Sequence, residues 1–99
     1  MRANLTIIID QLRPVLGKLA DEFVAMQLSL VNRKYVTIIE GSSRLLVSLP
    51  EEIPHVDEED LKRFMEVLAE SLARVLGPQQ KNKVMVDIYH ELCKHYLTC

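Results

Sequence analysis

The chain is poor in the residues that build dedicated chemistry. Its 99 residues include no tryptophan, three glycines and two cysteines, and aromatics make up 5%. Gly17, Gly41 and Gly77 stand far apart, which excludes the clustered glycines of a phosphate-cradling loop. A G-x-S-x-G turn is absent, so Ser42 and Ser43 read as turn residues and not as nucleophiles. Two cysteines cannot form a multi-bridge disulfide framework. No apolar run approaches the ~18 residues that cross a bilayer, so no membrane segment is expected. Arg2 is followed by no long apolar core with a small-residue cleavage site, so no signal peptide is expected. With the low cysteine count, this points to a reducing, cytoplasmic setting.

What is present is ordinary globular composition, at 48% hydrophobic and 26% charged residues, which argues against disorder. The length suits a single domain over residues 1–99. Charge is uneven, with a formal total of −2. Residues 1–49 hold six basic and four acidic groups, and residues 50–99 hold six basic and ten acidic ones. Six of those acids (Glu51, Glu52, Asp57, Glu58, Glu59 and Asp60) fall within ten positions. This acidic segment could dock a basic protein partner. A helix start explains it more simply, because the macrodipole favours acids there.

Periodicity predicts a mainly helical α+β fold: a long, Pro-kinked N-terminal helix, a β-hairpin and two further helices. The best-marked helix runs from about Asp57 to Leu76. Asp57 is its N-cap, Val56 and Leu61 its staple, and Gly77-Pro78 its stop. Its apolar face is Leu61, Phe64, Met65, Leu68, Leu72, Val75 and Leu76. Within it, Leu61, Met65, Leu68, Leu72 and Val75 have the 4-3-4-3 spacing of a helix-pairing seam. A second stripe, Leu5, Ile8, Leu12, Leu16, Leu19, Phe23, Met26 and Leu30, keeps helical spacing across Pro14, where a bend is expected. Gly17 weakens the same region. Residues 35–39 and 44–49 read as hairpin strands about a Glu40–Ser43 turn, with helix left open as an alternative. The last helix is expected from about Asn82 to Leu97, with Met85, Ile88, Tyr89, Leu92 and Tyr96 on its apolar face.

Candidate chemistry is sparse. His90, Cys93, His95 and Cys99 supply four zinc-type donors, but on one continuous helix the pairs His90/Cys93 and His95/Cys99 face nearly opposite ways. No metal site is expected, nor any cofactor or catalytic residue. A Cys93–Cys99 disulfide is not expected either, since six helical residues rise about 9 Å against the ~7 Å a bridge tolerates. Arg33, Lys34, Lys81 and Lys83 are the candidate nucleic-acid contacts, but a pI of about 5.9 argues against that role.

The order of long helix, antiparallel hairpin and acid-capped helix resembles, in architecture alone, the YbaB family of small dimeric nucleoid-associated proteins. The extra C-terminal helix departs from it, and no family site is carried over. Such a resemblance implies a dimer that associates with DNA.

Three broad apolar stripes and a hairpin are more apolar surface than a chain of this size readily covers. A continuous Leu5–Val31 helix of ~40 Å would also overhang a compact 100-residue body of ~13 Å radius of gyration. These features favour a non-enzymatic protein–protein interaction module, homodimeric and regulatory or adaptor in role. The competing readings are a small dimeric nucleic-acid-associated protein and a metal or small-ligand sensor using His90, Cys93 and His95.

Overall fold

The computed structural model describes residues 2–41 and 45–96. It is a mainly helical α+β fold, with an N-terminal helical segment over 6–31, a hairpin over 37–48 and two helices over 58–95. Strand β1 (Arg2–Asn4) leads into α1 (Thr6–Leu16). The Asn4 side chain accepts from the Thr6 N–H at 2.8 Å, an Asx turn that takes up one free amide at the helix start.

The α-helix continues through Pro14 and is interrupted at Gly17–Leu19, a 3₁₀ turn, before α2 (Ala20–Val31) begins. The break in α-helical geometry thus falls at Gly17, three residues after Pro14. Gly17 adopts φ 59°, ψ −132°, a conformation that a side chain with a Cβ rarely takes. Arg13 spans the turn, reaching Asp10 at 3.8 Å and Asp21 at 3.5 Å.

The turn also changes which face is buried. In α1 the buried residues are Ile8, Ile9 and Leu12, continuing from Leu5. Beyond Gly17 the buried set is Ala20, Val24, Ala25, Gln27, Leu28 and Val31, displaced about a quarter-turn from an uninterrupted helix. Leu19, Met26 and Leu30, which continue the stripe in sequence, consequently face outward. Helix α1 packs on α4 and α2 packs on α3, and the radius of gyration is 13.3 Å.

After a 3₁₀ turn at Arg33–Tyr35, β2 (Thr37–Glu40) and β3 (Leu45–Ser48) form the antiparallel hairpin, with Ile38 opposite Val47 and Ile39 opposite Leu46. The hairpin's tip, with Ser42, Ser43 and Arg44, lies outside the described residues. Strand β4 (His55–Asp57) pairs antiparallel with β1, Ala3 facing Val56. That second two-stranded sheet has no signature in the sequence pattern.

Helix α3 (Glu58–Leu76) starts and ends where its caps place it. The Asp57 carboxylate accepts from the Asp60 N–H at 3.3 Å, and Gly77 at φ 85° closes the end. Helix α4 spans Pro78–His95, so Pro78 opens it as its first residue, where a missing N–H costs nothing. It starts four residues before the expected Asn82. Leu5, Ile8, Leu12, Leu28, Phe64, Leu68, Leu72, Ile88 and Leu92 make the centre of one core shared by the four helices.

Candidate interaction surface

Of the 4-3-4-3 seam on α3, Leu61, Met65, Leu68 and Leu72 are buried within the chain, and only Val75 is exposed. This stripe is consumed by packing against α2 and α4. A shallow groove between α3 and α4 exposes the edges of Leu61, Met65, Tyr89 and Leu92 beneath Glu58, Lys62 and Glu66, but three of its four apolar residues already belong to the core.

Besides Val75 on α3 and Val86 and Tyr89 on α4, the exposed large apolar residues lie along α2 and on the hairpin. Leu19, Glu22, Met26 and Leu30 are spaced three, four and four apart, which stacks them along one side of the helix. The three apolar members are 62%, 56% and 67% exposed. Strand β3 runs against α2, and Glu22, Met26, Leu46 and Val47 line one shallow recess where they meet. Leu46 faces Ile39 across the hairpin, and both are more than half exposed. Directly opposed strand residues project from the same face, so the apolar surface continues from the helix ladder onto the hairpin. Scattered exposed leucines are normal on any protein. Large apolar residues from two packed elements that adjoin one another mark a contact surface more often.

The polar groups on the ladder are either satisfied within the chain or charged. Ser29 donates its hydroxyl to the Met26 carbonyl at 2.6 Å, so it presents no unmet donor. Glu22 stands at the N-terminal end and Arg33 just past the C-terminal end, both exposed. Among the described residues neither forms an ion pair, whereas Asp21, on another side of the helix, is engaged by Arg13.

The acidic segment is partly accounted for by the fold. Asp57 caps α3, and Asp60 accepts from the Tyr35 hydroxyl at 2.7 Å. Glu51, Glu52, Glu58 and Glu59 are exposed. The Tyr35 phenol is pushed up from 10.0 to about 12, first by burial and then by that hydrogen bond to Asp60.

The candidate nucleic-acid residues occupy two elements: Arg33 and Lys34 the turn after α2, Lys81 and Lys83 the first turns of α4. The Lys34 ammonium lies 5.0 Å from the centre of the Tyr35 ring. His90 and His95 are exposed on α4, and His95 approaches Glu91 at 3.8 Å. Among the described residues no three His, Cys, Asp or Glu side chains gather as metal ligands. Likewise, no described helix is long and apolar enough to cross a membrane.

Cys93 is disulfide-bonded. The expectation that Cys93 and Cys99 form no bridge falls on Cys99, which lies outside the described residues.

The outward turn of Met26 and Leu30 was not visible in the pattern, because their spacing matches a buried stripe. The one available signal was Gly17, the residue able to reset the helix phase. No protein-family model, curated protein or solved structure matches the chain, and the architectural resemblance to the YbaB family therefore assigns no membership.

Proposed function

We propose that the chain is a non-enzymatic protein–protein interaction module that works as a homodimer, in a regulatory or adaptor role, through the α2–hairpin face. One observation carries this reading: Met26 and Leu30 on α2, with Ile39 and Leu46 on the hairpin, are each more than half exposed among the described residues, and Met26 and Leu46 line one recess. A stable interface takes ~800 Å² from each partner, about one-eighth of the 6495 Å² surface. Helix α2 alone, ~18 Å long, offers a few hundred Å² at most, so the hairpin belongs to the same interface.

The test is a paired substitution, Met26→Lys with Leu46→Lys, followed by sedimentation velocity. Both sites are exposed, so the helical circular dichroism should persist while the sedimenting species falls from dimer to monomer. A variant that sediments like the unmodified chain, or an unmodified chain that is already monomeric, contradicts the proposal.

A further inference from the structure

The geometry points to a separate contact site at the outer edge of β2, where an extended segment of a partner protein adds to the hairpin as a third strand. Among the described residues the hairpin is a sheet of two strands. Strand β3 packs on α2, whereas β2 packs on β3 and on the turn that precedes it. No backbone hydrogen bond outside the hairpin ladder involves Thr37–Glu40 among the described residues. In an antiparallel pair, alternate residues direct both N–H and C=O to the neighbouring strand and the others direct them away. The outward set on β2 is therefore unpaired, and Thr37, Ile39 and Glu40 are exposed. Natural sheets blunt such an edge with proline, lysine or a bulge. Thr37-Ile38-Ile39-Glu40 contains neither residue, and its register against β3 runs without a break. Strand addition is the recognition mode such an edge supports, with backbone bonds holding the segment and alternate side chains selecting it.

The residues of β2 define what that segment carries. Ile38 is half-buried and Ile39 exposed, so the positions opposite them take apolar, β-branched residues. Glu40 is exposed, and among the described residues it forms no ion pair. A lysine or arginine opposite it completes a cross-strand charge pair. In the antiparallel direction, the more stable pairing, the segment reads basic, apolar, apolar, threonine from its N-terminal end. A second copy of β2 fits the edge less well. Two-fold symmetry pairs one residue with itself, and the registers that keep most of the strand paired centre on Ile38 or Ile39. They set Glu40 against the partner's Val36 or the partner's Ile38, never against a base. This site is additional to the homodimer face and depends on the backbone groups of one copy alone.

The experiment is a fluorescence-anisotropy titration of the full chain into a labelled synthetic peptide with Lys-Val-Ile-Thr at its centre and serines on either side. The peptide should bind saturably. Methylating the amide nitrogens of alternate peptide residues blocks one edge of the bound strand, and methylating the other set blocks the opposite edge. One set should abolish binding and the other should leave it. Glu40→Lys, with circular dichroism confirming the fold, should weaken binding about fivefold. A peptide with Glu in place of its Lys should recover the affinity on that variant. No saturable binding up to millimolar peptide, equal effects of the two methylation sets, or unchanged affinity in Glu40→Lys overturns the proposal. So does a peptide that dissociates the homodimer in sedimentation, because a second copy then holds the edge. A monomeric chain that binds the peptide in this pattern ends the homodimer reading and leaves the strand site standing.

Discussion

The Tyr35 hydroxyl donates to Asp60 Oδ2 at 2.7 Å, tying the turn that follows α2 to the first turn of α3. Asp60 also presents its backbone N–H to the capping carboxylate of Asp57. One residue of the acidic run thus receives a cap with its main chain and a phenol with its side chain. The link ties the end of α2 to the start of α3.

A raised phenol pKa carries a definite sign. With the folded value at about 12 against 10.0 unfolded, the protonated phenol is favoured in the folded state. Its contribution is therefore complete below pH 10 and is lost as pH rises through about 12. Tyrosinate absorbance of the folded protein should show a late-titrating component that disappears in Tyr35→Phe. The variant should lose ~1.5–3 kcal/mol, the range for a hydrogen bond to a charged group. An absorbance titration identical in the two proteins would contradict the assignment.

A second polar link lies deeper. Ser71 donates to Gln27 Oε1 at 2.6 Å between α3 and α2, and both residues are buried. Arg74 approaches the same hydroxyl at 3.4 Å. Ser71→Ala removes the donor while leaving the amide oxygen buried, at a cost of ~1–3 kcal/mol. Replacing both ends, Gln27→Leu with Ser71→Ala, should cost less than the sum of the single changes. Urea melts of the four proteins close the cycle, and strict additivity would show that the two side chains are not coupled.

Leu68 is fully buried on α3. Leu68→Ala should cost ~2–5 kcal/mol, and Leu68→Asp should prevent cooperative folding by burying an unpaired charge. Thermal melts decide this. An aspartate variant melting within a few degrees of the unmodified chain would place this face at the surface.

Gly77 joins α3 to α4 at φ 85°, ψ 163°, and a Cβ built there meets nothing within 4 Å. Gly77→Ala therefore tests backbone conformation without a packing clash, and should cost ~1–3 kcal/mol in chemical denaturation. A neutral substitution would show that the helix junction tolerates another geometry.

The local signals that were legible are those in which neighbours in sequence interact. The capping carboxylate of Asp57, the closing Gly77, the buried Val56 and Leu61, and the β-branched run of the hairpin all act within a few residues of themselves. The β1–β4 pairing was not legible because three residues at each end of a 50-residue separation carry no alternation to detect. The apolar surface was hidden for a different reason. Helical spacing reports that Leu16, Leu19, Phe23, Met26 and Leu30 share a side, but not that beyond the 3₁₀ turn at Gly17 the core takes only the edge of that side, leaving Leu19, Met26 and Leu30 exposed while Phe23 stays partly buried. Excess apolar surface was legible as a total, and its location was not. Exposed side chains on α2 and the hairpin are the ground for the proposed self-association.

Self-association is tested most directly by sedimentation equilibrium of the unmodified chain over a dilution series into the micromolar range. The account requires a mass of about twice 11.4 kDa at the higher concentrations, falling towards the single-chain value on dilution. A mass of 11.4 kDa at every concentration would contradict it.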